Sequence, residues 1–502
     1  MNLTDRLGLH ALSRPEHPAL VWPEGHIGYR ALLQQVEAAA ALLQQTGVEV
    51  LALDVENGPA WVVLDIAAMQ LGICLIPLPP FFSPGQLRHV LRHSATQAVL
   101  TDDPQRLRER LGELLVDAES SLQVAASRLA WIETAAAVRR EERKLLPEGV
   151  NKITFTSGTT GEPRGVMLSW AQMRPVVESL AGATLMAGDD RHLALMPLAV
   201  LLENIAGVYA PLWAGASVML LPMAKVGLSG SSGLNGEIMA LALSESRATT
   251  AIFTPQTLQG VVEAQELRND KHLSLRFAAV GGAPVSPRLL RRAAELGLPV
   301  FEGYGLSECA SVVCLNTPAD HRPGSVGRPL PHLQLTLSDN REVLVHGQPF
   351  VGYLGEDPSA SGCWPTGDLG ELDDDGFLYL HGRRRNVFIT AFGRNVAPEW
   401  VERELMLEPA ISQAAVFGEA RPYNVAVVVP APGVTPPDIE AAFARTNRTL
   451  PDYARVSRWL PADAPFSPAN GLLTGTGRIR RAALLKRYGQ DIELLYREAQ
   501  TS

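Results

Sequence analysis

Residues 29–55 read YRALLQQVEAAAALLQQTGVEVLALDV. Apolar residues recur at helical spacing as far as Gly47, a residue suited to the left-handed turn that stops a helix, and Val48–Val55 then reads as a strand. The same order repeats downstream. GPAWVVLDIAAMQLG (58–72) is a second helix ending on glycine, and ICLIPL (73–78) is a strand. SPGQLRHVLRHS (83–94) is a helix opened by Ser83 and Pro84, and QAVLTD (97–102) is a further strand. Such alternation lays parallel strands side by side under a cover of helices. The fold class expected is therefore α/β: a large N-terminal domain of helix-covered, largely parallel sheets.

TTAIFTP (249–255), LRFAAVGGAP (275–284) and LPVFEGYG (298–305) each read as a buried strand running into a glycine or proline turn. Ligands of such sheets sit at the carboxyl ends of the strands, so a site is expected at these turns. Residues 205–224 carry no charge and are long enough to cross a bilayer. Pro211, the Gly215-Ala216-Ser217 turn and Pro222 divide them into a helix and a short strand, SVMLL, so burial in the core is expected and no transmembrane segment. Lys225–Glu237 is rich in glycine and serine and is expected to be a mobile loop. After Gly376 the texture changes: FLYLHGRRRNVFITAFGRNVAPEWVERELM (377–406) sets a basic cluster between two strand-like runs, then a helix from about Pro398. The expected division is residues 1–382 and a smaller α+β domain, 383–502, joined by a hinge.

The 502 residues exceed the usual span of one hydrophobic core. With 46% hydrophobic and 19% charged residues the composition is that of a folded globular protein. A formal charge of −9 argues against a general nucleic-acid binder, which needs a basic face. Cys74, Cys309, Cys314 and Cys363 form no C-x-x-C pair and have no histidine at zinc-finger spacing, so neither a metal cluster nor a disulfide framework is expected. The N-terminal residues lack a secretory pattern, and a reducing, cytoplasmic setting is expected.

ITFTSGTTGEPRGV (153–166) follows a strand with a loop suited to an anion. Thr156, Ser157, Thr159 and Thr160 offer hydroxyl donors, Gly158 and Gly161 let backbone N–H groups approach a polyanion, and Arg164 adds a cation. The spacing is not that of a Walker loop.

Four stretches, TSGTTGEPRGVMLS (156–169), EGYGLSE (302–308), TGDLGELDDDGFLYLHGR (366–383) and GRNVAPEWVE (393–402), resemble the core motifs of the adenylate-forming superfamily and stand in its order. That superfamily comprises acyl- and aryl-CoA synthetases, peptide-synthetase adenylation domains and luciferases. The resemblance implies that Thr156, Ser157, Gly158, Thr159, Thr160 and Gly161 wrap the ATP β/γ-phosphates, with Arg164 where lysine is usual. It implies that Gly281, Gly282, Ala283, Pro284 and Tyr304 flank the adenine, and that Asp368 and Arg383 bind the ribose. Ser307 would bond the α-phosphate, Glu308 would hold Mg²⁺, and Gly393 would make room for a pantetheine thiol. The implied N-terminal domain binds ATP and the acid, and the implied C-terminal domain is a mobile lid hinged at Arg385.

The reaction implied is attack of a carboxylate on the ATP α-phosphorus to give acyl-AMP and pyrophosphate, then transfer of the acyl group to a thiol. CoA is the acceptor expected, and the phosphopantetheine of an acyl carrier protein is the alternative. Few residues separate Glu308 from Thr366, which leaves no room for the extra segment of fatty acyl-AMP ligases and favours CoA. Arg478 stands where the superfamily has its adenylation lysine, and arginine and lysine are not interchangeable at a fitted site. Arg478 does the work, Lys486 substitutes, or adenylation is impaired; the last would make the chain a catalytically degenerate nucleotide- or acyl-binding protein. Val200 replaces an aromatic or histidine gate, and Trp170 stands where histidine is common. The small gate and the lack of an aspartate to pair with an amino group point to a fatty or other apolar acid.

Overall fold

The computed structural model describes residues 1–136, 138, 146–156, 163–229, 233–267, 273–283, 285, 287–347, 349–356, 362–392, 394–467, 469–474 and 477–497. Among the residues singled out above, Ser157, Gly158, Thr159, Thr160, Gly161, Pro284 and Gly393 lie outside this set.

Helix Tyr29–Thr46 stops where Gly47 turns left-handed at φ 64°, and helix Pro59–Leu71 stops at Gly72, φ 72°. Between and after them, Cys74–Pro77, Val50–Asp54 and Ala98–Thr101 pair in parallel, as the alternation predicts. Val150–Thr156 joins this group in parallel beside Cys74–Pro77 and forms an antiparallel ladder with Arg164–Ser169. With Gly352–Tyr353 at one edge and Ser127–Thr134 and Leu115–Val124 at the other, the sheet has eight strands.

A second sheet has nine strands. Val300–Tyr304, Phe277–Val280, Thr250–Phe253, Arg191–Leu193, Ser217–Met219 and Pro18–Trp22 run parallel at its centre, and antiparallel strands close both edges. One continuous core joins the two sheets through the helices Tyr29–Thr46, Pro59–Leu71 and Trp170–Ala183. Helix Pro59–Leu71 is buried on all sides from Pro59 to Ala68, which its nearly uniform apolarity requires. Its exception is Asp65, a carboxylate 1% exposed in the middle of an apolar helix.

One segment differs from expectation. Residues 205–224 do turn inward, but their first part is the end of a π-helix, Glu203–Tyr209, continued by Ala210–Ala214 and then the strand Ser217–Met219. Within the glycine- and serine-rich stretch, Leu228–Ser229 pairs antiparallel with Gly233–Leu234, and Leu228 packs against an apolar cluster. Among the described residues no helix is long and apolar enough to cross a membrane.

An antiparallel four-stranded sheet, Gln334–Leu337, Glu342–His346, Cys363–Leu372 and Leu378–Arg383, leads to the C-terminal part. There a three-stranded sheet of Ile411–Phe417, Asn424–Pro430 and Val456–Pro461 packs against helices Pro398–Leu405, Pro436–Asn447 and Arg481–Arg497. Its two apolar clusters draw only on residues from Phe388 to Tyr496, so the smaller α+β part has a core of its own.

Candidate active site

The carboxyl ends of Thr250–Phe253, Phe277–Val280 and Val300–Tyr304 open onto a cleft of 2110 Å³, and residues of the C-terminal part, Ala397 to Arg481 among them, form its far wall. At the strand ends Gly281, Gly282 and Ala283 line the cleft. A Cβ on Gly281 would stand 3.0 Å from the Gly303 carbonyl, so glycine is what lets these two strands approach so closely. Gly282 has φ 84°, a conformation that side chains resist.

Tyr304 ends its strand and lines the cleft. Its hydroxyl donates to Asp368 Oδ2 at 2.7 Å, and Arg383 Nε forms an ion pair with Asp368 Oδ1 at 2.9 Å. Asp368 and Arg383 face each other across adjacent strands, which fixes both before any ligand arrives. Burial, reinforced by the Asp368 charge, raises the Tyr304 pKa far above the ordinary phenol value, so the hydroxyl stays a donor.

Ser307 and Glu308 lie in a single 3₁₀ turn, Ser307–Cys309. The chain then passes through two positive φ angles, 50° at Ala310 and 98° at Ser311. Side chains rarely adopt the second, and such strain collects at functional sites. Ser311 lines the cleft, and its buried Oγ has no hydrogen-bond partner among the described residues. Glu308 Oε1 accepts the Tyr353 hydroxyl at 2.7 Å; the Arg164 guanidinium lies over the Tyr353 ring at 3.6 Å and pairs with Glu356 at 2.6 Å. Thr156 and Arg164 are opposite one another at the end of the ladder that leads into and out of the glycine-rich loop. The donor set suits a nucleotide with a magnesium ion: hard carboxylate oxygen at Glu308, fixed cations, and an orphaned hydroxyl at Ser311.

Arg478 reaches this site from the C-terminal part, donating from Nη2 to the Gly282 carbonyl at 3.2 Å. Protein crowding in the cleft lowers its pKa to about 10, Arg383 and Arg385 add to the lowering, and Asp368 and Glu308 oppose it. The side chain is nonetheless wetted by the cleft, which weakens the burial contribution, and it is a cation at neutral pH. Lys486 lies exposed on helix Arg481–Arg497 and is not part of the cleft wall. Arg384, largely exposed, pairs with Glu342 at 2.8 Å, and Glu342 also accepts the Gly367 N–H. A second link between the two parts is Glu408, paired with Arg445 at 2.7 Å and with Arg288 at 3.6 Å.

One stretch of the cleft lining is apolar, with the Glu56 carboxylate beside it accepting the Met223 N–H at 3.4 Å. Met196, Val200, Leu202, Met223, Leu228 and Ile252 form that stretch. Val200, the expected gate position, is among these lining residues. Trp170 is not: it packs against Tyr209 and Trp213 and donates to the Met1 carbonyl, away from the cleft. Sequence reasoning passed over Tyr353, Glu342 and Ser311. Their roles come from pairings across the chain, and nothing local marks them apart from their being polar.

The chain matches the family model described as AMP-binding enzyme over residues 9–355, and that of the AMP-binding enzyme C-terminal domain over residues 386–500. It is 28% identical to the long-chain-fatty-acid–CoA ligase FadD15 of Mycobacterium bovis, over 92% of this chain and 91% of that protein. Its fold superposes on the anthranilate CoA ligase AuaEII in complex with anthranoyl-AMP with a TM-score of 0.78 at 19% identity, covering 97% of both chains. It superposes on the O-succinylbenzoate coenzyme A synthetase MenE of Bacillus subtilis, in complex with ATP and magnesium ion, with a TM-score of 0.75 at 22% identity, covering 95% of this chain and 98% of that one.

Proposed function

From the premise that the chain belongs to the AMP-binding enzyme family, we propose that it is an AMP-forming acid–thiol ligase that converts an apolar carboxylic acid, ATP and CoA into acyl-CoA, AMP and pyrophosphate. The observation that carries the reading is the convergence of Arg478, Glu308, Tyr304 and the Asp368–Arg383 pair on one cleft that also has an apolar stretch of wall.

In this reading Tyr304 and the Gly281–Ala283 turn hold the adenine, and Asp368 with Arg383 receives the ribose hydroxyls. Ser307 and the unpaired Ser311 hydroxyl face the α-phosphate, and Thr156 and Arg164 stand at the mouth of the phosphate loop. Glu308 is the residue to hold Mg²⁺, which when bound neutralises phosphate charge. The acid lies along the Val200 wall with its carboxylate toward the α-phosphorus. A carboxylate oxygen forms a bond to that phosphorus as the bond to the bridging oxygen of pyrophosphate breaks. No proton is needed; the work is charge stabilisation, and Arg478 supplies a fixed cation for it. The CoA thiolate then attacks the acyl carbon and AMP departs.

Residues 1–382 and 383–502 act as body and lid in this reading, with the hinge at Arg385. The Arg478–Gly282 contact and the Arg288–Glu408 pair fit the arrangement for the first step, and both must part before a thiol can take the place of Arg478.

Pyrophosphate release with a panel of carboxylic acids tests the first step. Addition of CoA, or of a holo acyl carrier protein, with the product weighed by mass spectrometry, tests the acceptor. Straight-chain or aromatic apolar acids are expected to release pyrophosphate and yield acyl-CoA; an acyl-carrier product in place of acyl-CoA would overturn the choice of acceptor.

A further inference from the structure

Behind the walls of the cleft lies a polar cluster that no step above uses. Lys152, 2% exposed, projects from the strand Val150–Thr156 into the core. Its Nζ donates to Asp65 Oδ1 at 2.7 Å, to the Tyr209 hydroxyl at 2.9 Å and to Asn204 Oδ1. The other Asp65 oxygen accepts Asn204 Nδ2 at 2.9 Å and the Tyr209 hydroxyl at 2.7 Å. Each ammonium hydrogen therefore has an acceptor, and the rings of Tyr209 and Trp61 lie 5.0 and 5.7 Å from Nζ. Burial draws the Lys152 pKa down while Asp65 opposes the shift.

Apolar side chains of the same volume hold a core at least as well as a buried ion pair, so stability alone does not account for the cluster. Its connections do. Lys152 lies in the ladder that ends at Thr156 and Arg164, on the phosphate side of the cleft. Asn204 and Tyr209 belong to the π-helix Glu203–Tyr209, a form found mostly at functional sites. Glu203, fully buried at the start of that helix, accepts the N–H groups of Leu195 and Met196 at 3.2 and 3.0 Å and pairs with His192 at 2.9 Å. It thereby fixes both ends of Met196–Leu202, the apolar wall. The chain of contacts runs from the phosphate loop's strand, through Lys152 and Asp65, to the wall that holds the acid.

We propose that Lys152 is a positioning residue for adenylation, its ammonium locking the strand that carries Thr156 to the π-helix that carries the acyl wall. The inference rests on the ligase reading above. Register between the two substrates matters only in the first step, where a carboxylate must meet the α-phosphorus in line; in the second step ATP has already been consumed.

Lys152→Met alone leaves Asp65 buried without its cation, so the informative variant is Lys152→Met/Asp65→Asn, which removes both charges. Tyr209→Phe, which deletes a hydroxyl bonded to both groups and keeps the ring, serves as a milder second variant. Melting temperature, pyrophosphate release, and acyl transfer from supplied acyl-AMP to CoA are measured for each. In the folded double variant, kcat for adenylation is expected to fall roughly 10- to 100-fold, with KM raised for both ATP and acid, as a displacement of about 1 Å at a reacting centre does. Acyl transfer per folded molecule is expected to stay at the wild-type rate, and Tyr209→Phe to show the same split more weakly. Wild-type adenylation in either folded variant, or equal loss of both half-reactions, overturns the proposal. Absence of pyrophosphate release from the wild type overturns the ligase reading instead, and this inference with it.

Discussion

The two ends of the cleft use charge in opposite ways. At the nucleotide end the polar side chains line the cavity and are paired with one another beforehand, Tyr304 and Arg383 on the buried Asp368, Tyr353 on Glu308, and the exposed Arg164 on Glu356. The acyl wall, Met196–Leu202, is backed instead by polar groups that are buried and bonded to one another, Lys152 with Asp65 and His192 with Glu203. A wet pair is worth little to folding, whereas a dry one is costly to break. Loss of a charge at the nucleotide end should therefore show in the chemistry, and loss of one behind the acyl wall should show first in stability.

The largest effect expected is at the dry end. Asp65→Ala leaves Lys152 buried without its counter-charge, and chemical denaturation should find the protein destabilised by about 3–5 kcal/mol. A wild-type midpoint would place Asp65 among groups that water can reach. The wet counterpart is Arg478→Ala, which should leave the melting temperature in place and lower acyl-AMP formation by about 10²–10³-fold, as loss of one preorganised donor does. Acyl transfer from supplied acyl-AMP should persist; unchanged adenylation would remove Arg478 from the site.

Glu302 sharpens the contrast, for it is a dry carboxylate at the wet end. It is 8% exposed, and burial raises its pKa from 4.5 to about 7, against the opposing pull of Arg403 and the Val285 N–H. The folded state thus binds this proton more tightly than the unfolded chain. Stability from this group is full below pH 4.5 and falls as pH rises toward about 7. Glu302→Gln should flatten that decline, matching the wild type at acid pH and exceeding it above neutrality in a series of melting curves. Parallel curves for the two proteins would show that the carboxyl is solvated.

Much of the architecture was legible because local rules and global fold agree. Gly47 and Gly72 end the helices they were expected to end, and Ser83 caps Pro84–His93 with its hydroxyl on the Gln86 N–H. The candidate site was legible in part. The motifs located Tyr304, Asp368, Arg383 and Arg478, whose chemistry is carried by residue type and order. Tyr353 was not legible, since its tie to Glu308 depends on an edge strand pairing with Arg164–Ser169 far away in sequence. Lys152 was hidden for a different reason: a lysine in NKITFT reads as the exposed face of a strand, and only tertiary packing puts it beside Asp65.

The central claim is that one cleft joins an apolar acid to CoA by way of its adenylate, with Arg478 as the cation of the first step. The most direct measurement incubates the purified chain with ATP, Mg²⁺, CoA and apolar acids of graded length, and follows pyrophosphate and acyl-CoA together by mass spectrometry. The account predicts equal amounts of the two products with at least one such acid, and no pyrophosphate when the acid is left out. ATP binding without pyrophosphate release from any acid would contradict it and make the chain a nucleotide-binding protein.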